Sequence, residues 1–102
     1  MKFQQHIFPN PLLAAAHSNM GTALYQQGQF EEAILEYKWA ISLDPEMVEV
    51  HSNLGLALYR QGRLEEAVTM FEQAIEINPS YADAYFNLGV VLCQQSKLEE
   101  AA

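Results

Sequence analysis

The feature that most constrains this chain is a repeat with a period of 34 residues. Three prolines, Pro11, Pro45 and Pro79, stand at this interval, and residues 18–45 are identical to residues 52–79 at 14 of 28 positions. A third, incomplete copy follows them. A fixed period of this length predicts an array in which each unit buries its core against its neighbours. Residues that recur in every unit are therefore expected to be structural, and function is expected where the units differ.

The charge balance restricts the partners that such an array could bind. The chain has 13 acidic and 5 basic residues, which gives a net charge of −8, and half of its residues are apolar. Nucleic acids and anionic membranes are disfavoured because both attract basic surfaces. Neutral or basic proteins and peptides are the expected partners.

The cysteine content and the hydropathy of the sequence indicate where in the cell the protein is expected. With Cys93 as its one cysteine, the sequence can form no internal disulfide and no CxxC metal pair. Residues 1–10 lack the apolar core of a signal peptide, and no apolar run approaches the ~20 residues of a membrane span. We expect no membrane insertion and a cytoplasmic location.

Each unit is predicted to contain two helices, so the fold class is all-α. In the middle unit, apolar residues at helical spacing predict helices at 45–61 and 64–77. Asp44 is the expected N-cap of the first helix, with Pro45 in its first turn. Gly62 is expected to end that helix in a left-handed conformation.

Small residues are predicted to mark the contacts between helices. A glycine in mid-helix costs about 1 kcal/mol relative to alanine, which is tolerable where two backbones must approach closely. The mid-helix glycines are Gly21, Gly55 and Gly89, and their expected facing partners are Ala33, Ala67 and Ala101. Ala40 and Ala74 are expected to pack the second helix onto the next unit.

The residues that recur with the 34-residue period resemble the pattern of the tetratricopeptide repeat, a 34-residue helix–turn–helix. The three units supply His17, Met20, Gly21, Leu24, Ala33, Tyr37, Ala40 and Pro45; His51, Leu54, Gly55, Leu58, Ala67, Phe71, Ala74 and Pro79; and Tyr85, Leu88, Gly89, Leu92 and Ala101. The resemblance covers nearly the whole chain. It implies a right-handed α-solenoid of antiparallel helical hairpins.

The repeat register divides the chain into a single array with partial units at both ends. Phe3 and Ile7 align with Tyr37 and Ile41, so residues 1–10 are interpreted as the remnant of a preceding second helix, although His6 and Pro9 depart from the pattern. The boundaries are then 1–10, 11–44, 45–78 and 79–102. We expect a slice of a longer array, and the alternative is a natural three-repeat protein.

Catalytic chemistry is not indicated by any motif. The glutamate pairs at 31–32, 65–66 and 99–100 recur in the first turn of each second helix, where the helix dipole favours negative charge. His17 and His51 are equivalent positions in adjacent units and are not expected to converge on a metal ion. Cys93 has apolar or neutral neighbours. We therefore predict a protein that is not an enzyme, with no catalytic residue, metal or cofactor.

The resemblance implies a peptide-binding groove lined by the first helices. The positions that face the groove in the family correspond to Ala15, Ser18, Asn19, Thr22, Tyr25 and Gln26; to Glu49, Ser52, Asn53, Leu56, Tyr59 and Arg60; and to Asp83, Phe86, Asn87, Val90, Cys93 and Gln94.

Two known binding modes of the family fit this groove to different degrees. The carboxylate clamp of its chaperone-binding members corresponds here to Ser18, Thr22, Asn53, Asp83 and Asn87, of which only Asn53 matches. Binding of a chaperone tail is therefore disfavoured. Asn19, Asn53 and Asn87 resemble the asparagine series of O-linked N-acetylglucosamine transferases, whose amides hold a peptide backbone. The alternative is that these asparagines form hydrogen bonds within the array.

Two further surfaces are candidates for contact. Trp39 and Leu35 lie off the predicted core stripe, so Trp39 is either a surface anchor or is covered by a terminus or another copy of the chain. Tyr85, Leu88 and Leu92 are expected to have an uncovered side. The preferred function is a protein–protein interaction module that holds an extended peptide. The alternatives are a homo-oligomeric scaffold that stacks end to end, or the repeat portion of a larger enzyme such as a glycosyltransferase.

Overall fold

A computed structural model describes residues 10–101 of the chain, which form five helices and no strand. The helices are α1 (Pro11–Gln26), α2 (Phe30–Leu43), α3 (Val48–Arg60), α4 (Leu64–Ile77) and α5 (Ala82–Ala101). The predicted helical remnant with Phe3 and Ile7 lies outside the described residues.

The helices form two layers. α1 and α2 make one hairpin, α3 and α4 make the next, and α5 packs on both α4 and α3. The first helices of successive units contact each other, since α3 touches both α1 and α5. α2 also packs on α3, whereas the backbones of the second helices α2 and α4 stay apart, and an apolar cleft of about 380 Å³ lies between them, with Leu54 and Leu58 of α3 among its lining residues. The predicted all-α solenoid of helical hairpins is confirmed.

Each hairpin turn depends on a glycine in a left-handed conformation. Gly28 and Gly62 have φ of 80° and 79°. The Gly62 N–H donates to the Tyr59 carbonyl at 2.9 Å, and the Arg63 N–H donates to the Leu58 carbonyl at 2.9 Å. This pair of bonds satisfies carbonyls that the helix end would otherwise leave unpaired. The predicted role of Gly62 is confirmed.

The predicted start of α3 is wrong by three residues. Its helix begins at Val48, because the Asp44 carboxylate accepts a hydrogen bond from the Glu46 N–H at 3.3 Å and holds the intervening residues in a turn. Such local bonds compete with helix formation. The predicted capping geometry occurs one unit earlier, where the side-chain oxygen of Asn10 accepts from the Leu13 N–H at 3.1 Å and Pro11 opens α1.

The third unit does not form a hairpin within the described residues. α5 continues through Ser96, which occupies the position of Gly28 and Gly62, as a single helix of 20 residues. Serine adopts a right-handed helical conformation readily and a left-handed one at a cost, so the turn is lost. Ala101 consequently lies on the same helix as Gly89, and the prediction that it faces Gly89 from a second helix is wrong.

The mid-helix glycines do mark close contacts, but with aromatic rings. A Cβ built on Gly21 would lie 2.8 Å from Tyr37, and one built on Gly55 would lie 2.7 Å from Phe71. Both rings are buried. Ala33 and Ala67 are also fully buried, but they do not supply the atoms nearest to the glycines. The expected alanine partners are thus corrected to Tyr37 and Phe71.

Candidate functional site

The predicted groove residues lie on the layer of first helices, which we call the first-helix surface. Their side chains are exposed or half-buried: Asn19, Thr22, Tyr25, Glu49, Asn53, Leu56, Tyr59, Arg60, Asp83, Phe86, Asn87 and Val90. Phe86 is the most exposed apolar member, with 73% of its surface accessible. An accessible aromatic side chain on a surface of amides is the type of residue that anchors a bound partner.

A cavity of about 240 Å³ opens on this surface between α1 and α3. Tyr37 reaches it from α2, and its phenol oxygen lies 2.9 Å from the Thr22 hydroxyl. Burial raises the pKa of Tyr37, an effect that the hydrogen bond with Thr22 partly offsets. The phenol is therefore a neutral hydrogen-bonding group at neutral pH. The cavity is lined by Thr22, Tyr25, Gln26, Tyr37, Asn53 and Leu56.

The asparagine series is accessible to a partner. Asn19 is exposed, and Asn53 and Asn87 are half-buried. Within residues 10–101, none of the three side-chain amides makes a hydrogen bond to another group of the chain. Each amide can therefore donate and accept with a partner at once. This finding does not support the alternative that the series bonds within the array.

A cluster of Arg60 with two aromatic rings lies at the C-terminal end of the first helices. The Arg60 guanidinium carbon is 4.7 Å from the centre of the Phe30 ring and 5.8 Å from that of Tyr25. The two rings meet edge to face with centres 5.1 Å apart. Sequence reasoning identified Arg60 and Tyr25 but missed Phe30, which opens α2. The signal was available, because Leu64 and Leu98 stand at the equivalent position.

The N-terminal ends of α3 and α5 carry negative charge. Glu49 and Asp83 are exposed. Burial raises the pKa of Tyr81, and the charges of Asp83 and Glu49 raise it further, so the phenol shares its surroundings with both carboxylates. Sequence reasoning missed Tyr81 because it lies in the turn before α5. The first-helix surface thus has an acidic end at Glu49 and Asp83 and a basic end at Arg60.

Two residues that the family resemblance assigned to the groove are buried. Ser18 and Ser52 are 8% and 2% exposed. Each stands one turn before a buried glycine, Gly21 or Gly55, on the helix face that packs against the second helix. Neither serine belongs to the first-helix surface.

The two equivalent histidines have different partners. The Nδ1 atom of His17 lies 2.7 Å from Glu36, and the imidazole stacks on Trp39 with ring centres 5.6 Å apart. The Nε2 atom of His51 lies 2.9 Å from the Pro45 carbonyl, to which it donates a hydrogen bond. No cluster of three metal-ligating side chains occurs within residues 10–101. Trp39 is 57% exposed, and its role as a surface anchor stays a prediction.

No helix among residues 10–101 has the length and apolar composition needed to cross a bilayer. A family model described as "TPR repeat" matches residues 21–62 and 57–96. A comparison with curated protein sequences gave no significant match.

Two solved structures of similar fold are TPR domains in complexes with HSP90-derived partners. The first TPR domain of Spaghetti (RPAP3), bound to the HSP90 peptide SRMEEVD, superposes with a TM-score of 0.85 at 28% identity, covering 91% of this chain and 74% of that one. The TPR2AB domain of yeast Sti1, in a complex with pHSP90, gives a TM-score of 0.85 at 24% identity. This second alignment covers 91% of this chain and 36% of the Sti1 chain.

Proposed function

Because the chain belongs to the tetratricopeptide repeat family, we propose that it is a non-catalytic protein–protein interaction module. It binds an extended segment of a partner protein along the first-helix surface. The similar domain of RPAP3 is bound to a peptide, which supports this class of ligand.

The observation that carries the proposal is the set of three accessible amides that make no hydrogen bond to any other residue between 10 and 101. Asn19, Asn53 and Asn87 stand at the same position of α1, α3 and α5, so one amide is presented by each first helix. An extended peptide has backbone N–H and C=O groups at regular intervals, and an amide side chain satisfies both kinds. The array therefore supplies one backbone contact per helix, with the cavity beside Asn53 available to a ligand side chain.

The charge of the surface favours a neutral or basic ligand. Glu49 and Asp83 attract a lysine or arginine at one end, and the chain as a whole carries a net charge of −8. A carboxylate-rich tail is disfavoured at this site. Of the matched clamp positions, Ser18 is buried, Thr22 lies beside the phenol of Tyr37, and Asp83 is itself a carboxylate.

Selection from a displayed library of unstructured peptides, followed by titration of the enriched peptide, tests the proposal. We expect basic residues to be enriched, and Asn53→Ala and Tyr59→Ala to weaken binding by about tenfold, the loss expected from about 1.4 kcal/mol. The double variant Glu49→Gln/Asp83→Asn should reduce both affinity and its salt dependence. The charge-matched control Glu65→Gln/Glu72→Gln alters exposed acids of α4 and should have no effect. Unchanged affinity in the Asn53 and Tyr59 variants would reject the groove assignment.

A further inference from the structure

The cavity between α1 and α3, which we call the Tyr37 pocket, has hydroxyl groups in its lining as well as the amide of Asn53. Tyr37 belongs to the second helix α2 and is 2% exposed, so its phenol forms the floor of the pocket behind the first helices. The volume of about 240 Å³ is below the roughly 300–1,000 Å³ of pockets for drug-sized ligands. The pocket therefore has room for one side chain of a bound peptide.

The two hydroxyl groups of the floor retain an unused hydrogen-bond donor. The phenol oxygen of Tyr37 and the hydroxyl oxygen of Thr22 lie 2.9 Å apart, and either can donate to the other. Each hydroxyl group carries one hydrogen and can also accept. Between residues 10 and 101, neither group makes a second hydrogen bond. One O–H therefore remains for an acceptor that a ligand supplies.

The rest of the pocket lining is neutral. Tyr25 and Leu56 form apolar walls, and the amides of Gln26 and Asn53 add groups that both donate and accept. In the part of the chain that the structure describes, no charged side chain lines the pocket. Burial raises the pKa of Tyr37, which keeps the phenol uncharged at neutral pH. The pocket thus offers hydrogen bonds without a counter-ion.

These properties discriminate between side chains of similar length. A glutamine side chain has methylene groups that pack on the walls, and its amide accepts from the free O–H while it donates to a neighbouring oxygen. Methionine has no strong acceptor, so it would leave the buried O–H unpaired, which is unfavourable. Glutamate would lose its hydration and find no cation in the pocket. The pocket therefore favours glutamine over both.

The polar floor occurs in the first interval between first helices and not in the next. The residues that stand 34 positions after Thr22 and Tyr37 are Leu56 and Phe71, which have no hydroxyl group. The asparagine of the series, by contrast, recurs in α1, α3 and α5. Contacts from the asparagines to a peptide backbone cannot distinguish one position of the peptide from another. The Tyr37 pocket can, because it differs from its counterpart.

We propose that the Tyr37 pocket binds one glutamine side chain of the extended segment, and that this contact sets the position of the peptide on the three asparagines. The inference rests on the proposed function, because it requires a peptide on the first-helix surface. The glutamine amide accepts a hydrogen bond from the pair of Thr22 and Tyr37, and its methylene groups pack between Tyr25 and Leu56. A preferred ligand has glutamine at one fixed position among neutral or basic residues.

Peptide selection with variants of the chain tests the assignment. From a displayed library, the parent chain should enrich peptides that have glutamine at one position. The double variant Thr22→Leu/Tyr37→Phe reproduces the pair Leu56 and Phe71, so it should fold, which its thermal midpoint checks. Its enriched peptides should have methionine or leucine at that position. Thr69→Leu makes the same exchange at an exposed residue of α4 and should leave glutamine preferred.

Titration of three versions of the enriched peptide measures the preference. The versions have glutamine, methionine or glutamate at the selected position. The parent chain should bind the glutamine version about tenfold more tightly than the methionine version, as expected when one buried donor is left unpaired. The double variant should reverse this order. Asn87→Ala removes a backbone contact outside the pocket, so it should weaken all three versions equally and leave their ratios unchanged.

Failure of the inference differs from failure of the proposed function. Equal affinity for the glutamine and methionine versions would overturn the inference, as would a preference that the double variant leaves unchanged or tightest binding of the glutamate version. If Asn87→Ala still weakens binding in these cases, the peptide-binding function stands.

A single-residue probe tests the pocket even if no peptide is enriched. In an NMR titration of the parent chain, N-acetylglutamine N′-methylamide should shift the resonances of Thr22 and Tyr37 more than N-acetylmethionine N′-methylamide does. The double variant should respond equally to the two probes. Equal responses in the parent chain would overturn the inference independently of any peptide.

Discussion

The ring of Phe71 lies against the backbone of Gly55 so closely that a methyl group added to the glycine would sit 2.7 Å from the ring carbon Cε1. Phe71 is fully buried, so its ring has little space into which to move. This contact joins α3 to α4 and recurs between α1 and α2 as Gly21 and Tyr37.

Gly55→Ala should therefore destabilise the protein although alanine is the better helix former. Overpacking of a core costs about 1–3 kcal/mol, and the helix gains about 1 kcal/mol from the substitution. We expect a net loss of stability in urea denaturation. Gly89→Ala is the matched control and should increase stability, because no atom among residues 10–101 lies within 4 Å of a Cβ built on Gly89. A Gly55→Ala chain as stable as the parent would show that the Phe71 ring moves freely.

The hydroxyl of Tyr37 should stabilise the fold only while Thr22 is present to form a hydrogen bond with it. In the second hairpin the equivalent pair is Phe71 and Leu56, which has no hydroxyl on either side. Tyr37→Phe should cost about 1 kcal/mol, the usual contribution of one hydrogen bond. The double variant Thr22→Leu/Tyr37→Phe reproduces the second pair and should recover most of that loss. A double-mutant cycle by urea denaturation measures both, and strict additivity of the two losses would contradict the pairing.

Alkaline pH should destabilise the chain partly through Tyr37. Burial raises the pKa of this phenol above its ordinary value of 10.0, so the unfolded chain loses the proton first as pH rises. The associated stability is complete below pH 10.0 and is lost as the pH rises toward the higher pKa of the folded state. Unfolding free energies measured from neutral pH to above pH 10.0 should fall less steeply in Tyr37→Phe than in the parent. Tyr81, whose pKa is also raised, leaves a residual slope.

Arg60 should couple the first hairpin to α3 through its contact with Phe30 and Tyr25. Arg60→Gln introduces the residue found at the equivalent positions Gln26 and Gln94, so helix propensity changes little. An exposed cation–π contact contributes about 0.5–1 kcal/mol, and the variant should lose about that much. Arg60→Lys keeps the charge and should lose less. Equal losses in the two variants would show that charge over the rings is not what stabilises the contact.

Arg63 should lower the pKa of Glu66 without adding measurably to stability. The Arg63 Nε donates to Glu66 Oε1 at 2.8 Å, and the Arg63 Nη2 donates to Glu66 Oε2 at 3.0 Å. This hydrogen bonding lowers the pKa of the exposed Glu66, and NMR titration of Arg63→Met should show the pKa return toward 4.5. The thermal midpoint should change little, because exposed ion pairs contribute little to stability. A large fall in the midpoint would indicate a structural role for the pair.

The helices and the hairpin arrangement could be predicted because the signals are local. Gly62 and Pro79 bracket α4, and its observed range of Leu64–Ile77 is the predicted one. The start of α3 could not be predicted, since whether Asp44 caps a helix or closes a turn depends on how the chain leaves α2. The continuation of α5 was missed although Ser96 is visible in the sequence, because the repeat register was extended past the residue that breaks it.

The sequence predicted which helices carry the candidate residues, but it did not predict the burial and neighbours of their side chains. The repeat register places Asn19, Asn53 and Asn87 on successive first helices, and the structure agrees. The burial of Ser52 and the proximity of Tyr81 to the acidic end depend on packing between units, which a repeat pattern does not encode. The role of the amides in binding stays a prediction.

The empty space between α2 and α4 has a mechanical consequence. The first hairpin joins the second mainly where α2 packs on α3, and Leu54 and Leu58 of α3 line the cleft that separates α2 from α4. A change in the angle between the first two hairpins therefore widens or narrows this cleft, while the interface of α2 with α3 acts as the hinge. Small shifts of α2 on α3 would thus change the curvature of the array and let it adjust to the length of a bound segment.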